Sequence, residues 1–154
     1  MTMDFTTAVR TCLTQKYATF QGRASRPEYW WFILAVVIGS FVALLLGPLS
    51  ILFTLAVLCP ALAVGFRRLQ DTGRPGWWIV FPAGLGLINS LIAPDMPDDA
   101  AIAAGQFPST GSVLLSGLIG IVGLVVSLVF LWWLTRPSDP ETNQYGPPPA
   151  SVSD

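Results

Sequence analysis

The chain has 154 residues, of which 53% are hydrophobic and 11% charged, with a mean hydropathy of +0.61 and a formal net charge of −1. Soluble domains carry roughly a quarter of charged residues, so this composition excludes an ordinary water-soluble enzyme and points to one small domain whose apolar surface faces lipid. The near-neutral total conceals blocks of single sign, and their placement predicts topology.

Residues 1–28 are polar and lack the apolar core of a cleavable signal peptide, so the first helix is expected to act as its own insertion signal. Within them Phe5, Val9, Cys12, Leu13, Tyr17 and Phe20 recur at helical spacing, with Arg10 and Lys16 off the stripe. This predicts an amphipathic cytoplasmic segment that either lies on the membrane surface or packs on the protein's own cytoplasmic loop.

From Tyr29 to Phe66 no residue is charged, and Gly47-Pro48 divides the run into two helices, Tyr29 to Leu46 and Leu49 to Phe66. Each spans about 27 Å at 1.5 Å per residue, close to the ~30 Å hydrocarbon thickness of a bilayer. Pro75 to Pro94 is a third uncharged run whose helix starts near Trp77, with Pro82, Gly84 and Gly86 weakening its helical signal. Ser112 to Leu134 is the fourth. The stretch from Asp95 to Gly111 reads as an acidic external loop, and residues 135–154, rich in proline and polar residues, as a disordered cytoplasmic tail.

All 8 lysines and arginines fall on one side of this arrangement: Arg10, Lys16, Arg23 and Arg26 before the first helix, Arg67, Arg68 and Arg74 in the middle loop, and Arg136 after the last. Short loops rich in lysine and arginine stay cytoplasmic. The expected fold is therefore an all-α polytopic membrane protein with four transmembrane helices over residues 29–134 and both termini cytoplasmic. The 6 tryptophans occur as Trp30-Trp31, Trp77-Trp78 and Trp132-Trp133, each pair at an expected cytoplasmic end. Indoles favour that depth, so the pairs read as an anchor belt, with a stacking site for a ligand as the alternative.

Chemistry is sparse. Histidine is absent, and the 2 cysteines, Cys12 and Cys59, lie in different segments, which leaves neither a metal site nor a structural disulfide to expect. The spans hold no charged residue of the kind proton-coupled carriers use. No enzymatic activity, cofactor, metal or nucleic-acid partner is expected. In the fourth helix Ser116, Gly120, Gly123 and Ser127 share one face, which allows close approach of a helix of the same chain or of another copy in a homo-oligomer.

Three stretches, "FQGRASRPEYWWF" from Phe20, "RRLQDTGRPGWW" from Arg67 and "NQYGPPP" from Asn143, together resemble the bacterial inner-membrane family catalogued as domain of unknown function 805. The resemblance implies a small multi-pass inner-membrane protein without an established activity. Two departures stand out: the family pattern usually has His where Gln70 stands and commonly Ser where Pro75 stands.

Topology places both arginine-rich stretches on one cytoplasmic surface. In one reading Glu28 and Asp71 form structural ion pairs with the arginines, fastening the first helix to the middle loop. In the other, arginines in excess of the acids, Arg23, Arg26, Arg67, Arg68 and Arg74 with Trp77 and Trp78 beside them, bind anionic lipid headgroups or a partner. The functional expectation is a structural or interaction protein of the membrane, with a subunit of an oligomeric channel or carrier as the alternative.

Overall fold

A computed structural model describes residues 3–149 apart from Met96, and the side chains of Ala100 and Ala101 lie outside the description. The described chain is all-helical: α1 (Phe5–Arg10), a π-helical turn (Thr11–Gln15), α2 (Arg26–Leu44), a short 3-10 turn (Gly47–Leu49), α3 (Ser50–Asp71), a second 3-10 turn (Gly76–Ile79), α4 (Val80–Ile92), α5 (Asp99–Ala103) and α6 (Thr110–Thr135). Three helical stretches are long and apolar enough to cross a membrane, Arg26–Leu44, Gly47–Asp71 and Thr110–Thr135, and a shorter apolar stretch occupies Gly76–Ile92. The third run is thus helical but short, ending at Ile92, and its first turn is wound as 3-10 helix.

The chain forms two compact units, one holding residues up to Ile79 together with those from Trp133 onward, the other Val80–Trp132. The first unit therefore unites the N-terminal segment, the first two apolar helices and the tail, which had been expected as separate regions. Its helix ends follow local chemistry. Ser25 caps α2 by accepting the N–H of Glu28 at 3.3 Å, with Pro27 in the first turn. At the far end of α3, Gly73 takes φ +75 and its N–H bonds Gln70 O at 3.0 Å, while Arg74 N–H reaches Leu69 O at 3.0 Å. That is a Schellman closure, which needs a residue free to enter the left-handed region.

The N-terminal segment packs on α2 and α3 partly through the stripe read from the sequence, with Cys12 buried, Phe5 against Trp31, Tyr17 against Ala56 and Phe20 against Phe66. Ala8, Thr11 and Cys12 are buried, whereas Phe5, Leu13 and Tyr17 keep about two fifths of their surface open, at 41%, 41% and 40%. The π-helical turn shifts the register after Arg10 and so displaces the buried face. Tyr17 is held by a specific contact. Pro60 lies inside α3 and lacks an N–H, which leaves the carbonyl of Ala56 without its intrahelical donor. The Tyr17 hydroxyl donates to that carbonyl at 2.6 Å. Nearby, Phe20 meets Phe66 edge-on at 5.2 Å between ring centres. Helices α2 and α3 approach closely at Gly39, where a Cβ would stand 2.5 Å from the Phe53 ring.

In the second unit α4 and α6 meet through the small residues of α6. Ser116 donates to Asn89 Oδ1 at 3.2 Å, and positions Gly120 and Gly123 face Asn89 and Leu85 at ordinary contact distance. Ser127 instead donates back to Gly123 O of its own helix at 2.8 Å and faces outward. Three of the four small residues thus serve contact with α4 within the chain.

Candidate site: a buried arginine cluster closed by the tail

The last turn and a half of α3 carries Arg67, Arg68, Leu69, Gln70 and Asp71, all buried. A helix buried on every side so close to its end must satisfy both its charged side chains and its final carbonyls. The surrounding segments supply partners for each. Asp71 lies between two arginines: Arg23 Nε donates to Oδ1 at 2.9 Å, and Arg68 Nη1 pairs with Oδ2. Arg67 Nη1 pairs with Glu28, whose carboxylate also lies 3.9 Å from Lys16 Nζ. Arg23, Arg67, Arg68, Glu28 and Asp71 are 6%, 1%, 0%, 2% and 0% exposed.

The three arginines carry more N–H groups than two carboxylates can accept, and main-chain carbonyls take up several of the remainder. Arg68 Nε donates to Leu134 O at 3.0 Å and its Nη2 to Arg136 O, so this side chain binds carbonyls at the C-terminal end of α6. Arg23 Nη1 donates to Glu141 O at 2.7 Å and Gly146 O at 3.3 Å, and Nη2 to Asp139 O. Carbonyls in the last turns of α3 are matched in return. Asp139 N–H reaches Asp71 O at 3.1 Å, Ala24 N–H reaches Arg67 O at 3.1 Å, and Asn143 Nδ2 donates to Gln70 O at 3.0 Å. Three atoms, Arg67 Nε and Nη2 and Gln70 Oε1, have no protein partner among the described residues.

The tail is therefore part of the site. Asn143 and Gly146 bond each other's backbone at 3.2 and 3.0 Å, and Asn143 Oδ1 accepts the N–H of Tyr145 at 2.9 Å. Gly146 takes φ +124, and the turn aims its carbonyl at Arg23. The expectation of a disordered tail does not hold for residues 136–149; residues 150–154 lie outside the described residues. Composition misled because the tail is held through backbone carbonyls and one asparagine rather than through apolar side chains.

The same geometry corrects the headgroup-binding set. Arg23, Arg67 and Arg68 are enclosed and engaged, which removes them from any surface facing lipid. Arg74 donates to Thr72 O at 3.1 Å and stacks over Trp133 with its guanidinium carbon 4.8 Å from the ring centre. Partial burial, followed by the neighbouring charge of Arg136, lowers its pKa below the usual arginine value. Trp78 lies 5.4 Å from Trp133 and 6.3 Å from Trp77, which is itself 56% exposed. Arg26 is exposed, and its side chain makes no hydrogen bond or ion pair among the described residues. Of the thiols, Cys12 is fully buried beside Arg67 and Glu28. Burial foremost, with the charge of Glu28 second, pushes it up to about 11, which keeps it a protonated, weakly reactive thiol.

Sequence reasoning found the acids and the arginines but missed Asn143 and Gly146 as partners. The signal lay in the family-like "NQYG" stretch, a sequence typical of a tight turn.

Residues 17–147 match the family described as "Protein of unknown function (DUF805)". Among curated proteins, the inner membrane protein YhaH of Escherichia coli (strain K12) is 42% identical over 76 residues, a stretch covering 42% of this chain and 63% of that protein. The inner membrane protein YhaI of the same strain is 43% identical over 72 residues, covering 42% of this chain and 61% of that protein. In both cases the match spans less than two thirds of the relative's length. No solved structure matches. The family match includes every residue of the cluster from Arg23 through Asp71 to Gly146, and the chain belongs to the DUF805 family of membrane proteins, whose function is not established.

Proposed function

We propose that this protein is a four-span inner-membrane protein of structural or interaction type, without catalytic activity, whose arginine cluster fastens a cytoplasmic collar. The observation that carries the proposal is Asp71, held between Arg23 and Arg68 while its own carbonyl accepts the N–H of Asp139. Arg23 precedes the first long apolar helix, Asp71 ends the second and Asp139 follows the last. Segments in contact lie on one side of a bilayer, so the chain between Asp71 and Asp139 must cross it an even number of times. That supports pairing the short stretch Gly76–Ile92 with Thr110–Thr135 as the third and fourth spans. The positive-inside rule assigns the shared side to the cytoplasm, since all 8 lysines and arginines lie in the first unit.

A fastened collar gives the protein a rigid cytoplasmic face, and of the five motif arginines Arg26 and Arg74, at its rim, are the ones left to meet anionic lipid or a partner protein. A reporter active only outside the cytoplasm tests the topology: fused after Pro97 it should be active, and after Thr72 or Ser138 silent. Activity at Thr72 refutes the arrangement. The fastening role is tested separately by Asp71→Asn, which should lower stability and couple to Arg68 in a double-mutant cycle. Selective flux through liposomes holding the purified protein alone would instead favour the subunit of an oligomeric channel or carrier.

A further inference from the structure

We propose that the groove beside the start of α2 is a binding site for one anionic phospholipid, with its phosphate on Arg26 and an acyl chain running down along Leu34. The groove is open, about 740 Å3 in volume, and lined by Arg26, Pro27, Trp30, Trp31, Leu34 and Thr135. The proposal rests on the membrane placement argued above and names the ligand that the collar's rim would hold.

Arg26, Trp30 and Leu34 stand at intervals of four along α2 and so form one stripe, descending about 6 Å per step. The stripe runs from a charge, through an indole, to an aliphatic side chain. A phospholipid has the same order of chemistry along its length: phosphate, polar glycerol esters, then hydrocarbon. Arginine suits the first part because its guanidinium fork bonds phosphate oxygens in pairs. An indole suits the second, with an apolar body and one N–H donor. Leu34, 42% exposed, offers the third.

Among the described residues no acid compensates the charge in the groove. The nearest carboxylate in sequence, Glu28, points inward to Arg67 and is 2% exposed, and no acidic residue lines the groove. The walls are also braced. Trp30 meets Tyr29 edge-on at 5.2 Å, and Trp31 meets Phe5 of α1 edge-on at 6.0 Å. Indoles already held by aromatic neighbours lose little freedom when a ligand settles between them. Arg10 provides the contrast: it is also exposed, and its side chain makes no hydrogen bond or ion pair among the described residues, but it is not part of the groove.

The test is native mass spectrometry of the intact purified protein in micelles doped with either phosphatidylglycerol or phosphatidylcholine of identical acyl chains. Wild type should retain one phosphatidylglycerol in preference to phosphatidylcholine. Arg26→Gln should cut that preference about fivefold, the scale of one cationic residue at a membrane surface. Trp30→Ala should weaken retention of both lipids, and Arg10→Gln should change neither. Thermal stability of Arg26→Gln should match wild type, since the Arg26 side chain makes no bond among the described residues, which separates this test from that of Asp71. Unaltered lipid preference in Arg26→Gln overturns the proposal. So does displacement of the lipid by millimolar glycerol 3-phosphate, which would show that the groove reads phosphate alone. A dimer lost on Arg26→Gln would assign the groove to a second copy and overturn it as well.

Discussion

Tyr17→Phe removes one oxygen atom and asks whether Pro60 makes the N-terminal segment part of the fold. In α3 the proline deprives Ala56 of its intrahelical donor, and the Tyr17 hydroxyl fills the gap at 2.6 Å. A typical hydrogen bond contributes about 1 kcal/mol net, and a carbonyl stranded away from water costs about 1–3 kcal/mol. Polar contacts measured between membrane helices average about 0.6 and reach about 1.7 kcal/mol. A loss of about 1–1.5 kcal/mol is therefore expected, because proline removes the i+4 donor to Ala56 O and the Tyr17 hydroxyl stands in its place. In a Pro60→Ala background the new N–H can return to Ala56 O, and Tyr17→Phe should then cost only a few tenths of that. Unfolding of the purified protein in mixed micelles by sodium dodecyl sulfate, followed by tryptophan fluorescence, measures all four corners of the cycle. Equal losses from Tyr17→Phe in both backgrounds would refute the idea that the hydroxyl substitutes for the missing backbone donor.

Asp71→Asn should cost about 3 kcal/mol in the same assay, because it leaves Arg23 and Arg68 buried with one neutral acceptor between them; a change below about 1 kcal/mol would contradict the fastening role. Ending the chain after Ser138 should destabilise the first unit and make it more sensitive to protease, since Arg23 loses the carbonyls of Asp139, Glu141 and Gly146. Alkylation of Cys12 by iodoacetamide at pH 8 should run about 100-fold slower in the folded protein than in a denatured control, because a thiol at about 11 rather than 9.0 holds about 100-fold less thiolate there. The protonated thiol is favoured by folding, so its contribution to stability is complete below pH 9.0 and is lost as pH rises through about 11. A Cys12→Ser variant should lose that part of the alkaline decline. Finally, Gly39→Ala should destabilise, with its Cβ 2.5 Å from the Phe53 ring, whereas Gly120→Ala should be tolerated, with its nearest atom at 3.8 Å; equal thermal stability of the two variants would contradict the close approach of α2 and α3.

The apolar runs and their punctuation at Gly47-Pro48 were legible because lipid selects composition over long windows, a property that survives in sequence alone. Glu28 and Asp71 were legible as pairing acids because they are the only carboxylates beside five arginines in the two motif stretches. Which arginines they engage was not legible. Arg23 and Arg26 stand three positions apart, yet one lies against Asp71 and the other in the open groove, since Ser25 starts α2 between them and turns the chain. The N-terminal stripe was legible only in part for a related reason: a π-helical turn inserts into the repeat, so Thr11 joins Cys12 in the buried face and no periodicity count anticipates it. The tail escaped notice because carbonyl oxygens are common to every residue and leave no trace in composition.

Closure of the cluster by the tail has a consequence for biosynthesis. Arg68 and Asp71 are three residues apart on one helix, so that pair can form as soon as α3 is made. Apart from a 3.4 Å contact of Nη2 with Asp71 O, the outer N–H groups of Arg23 must wait until the ribosome has delivered the tail, where the carbonyls of Asp139, Glu141 and Gly146 accept them. Until then a cation stands partly unsatisfied at the end of a finished pair of helices. The last segment translated acts as a seal, and a nascent chain that stalls before it, or misplaces its final helix across the membrane, presents the cell's proteases with an open collar in place of a closed one.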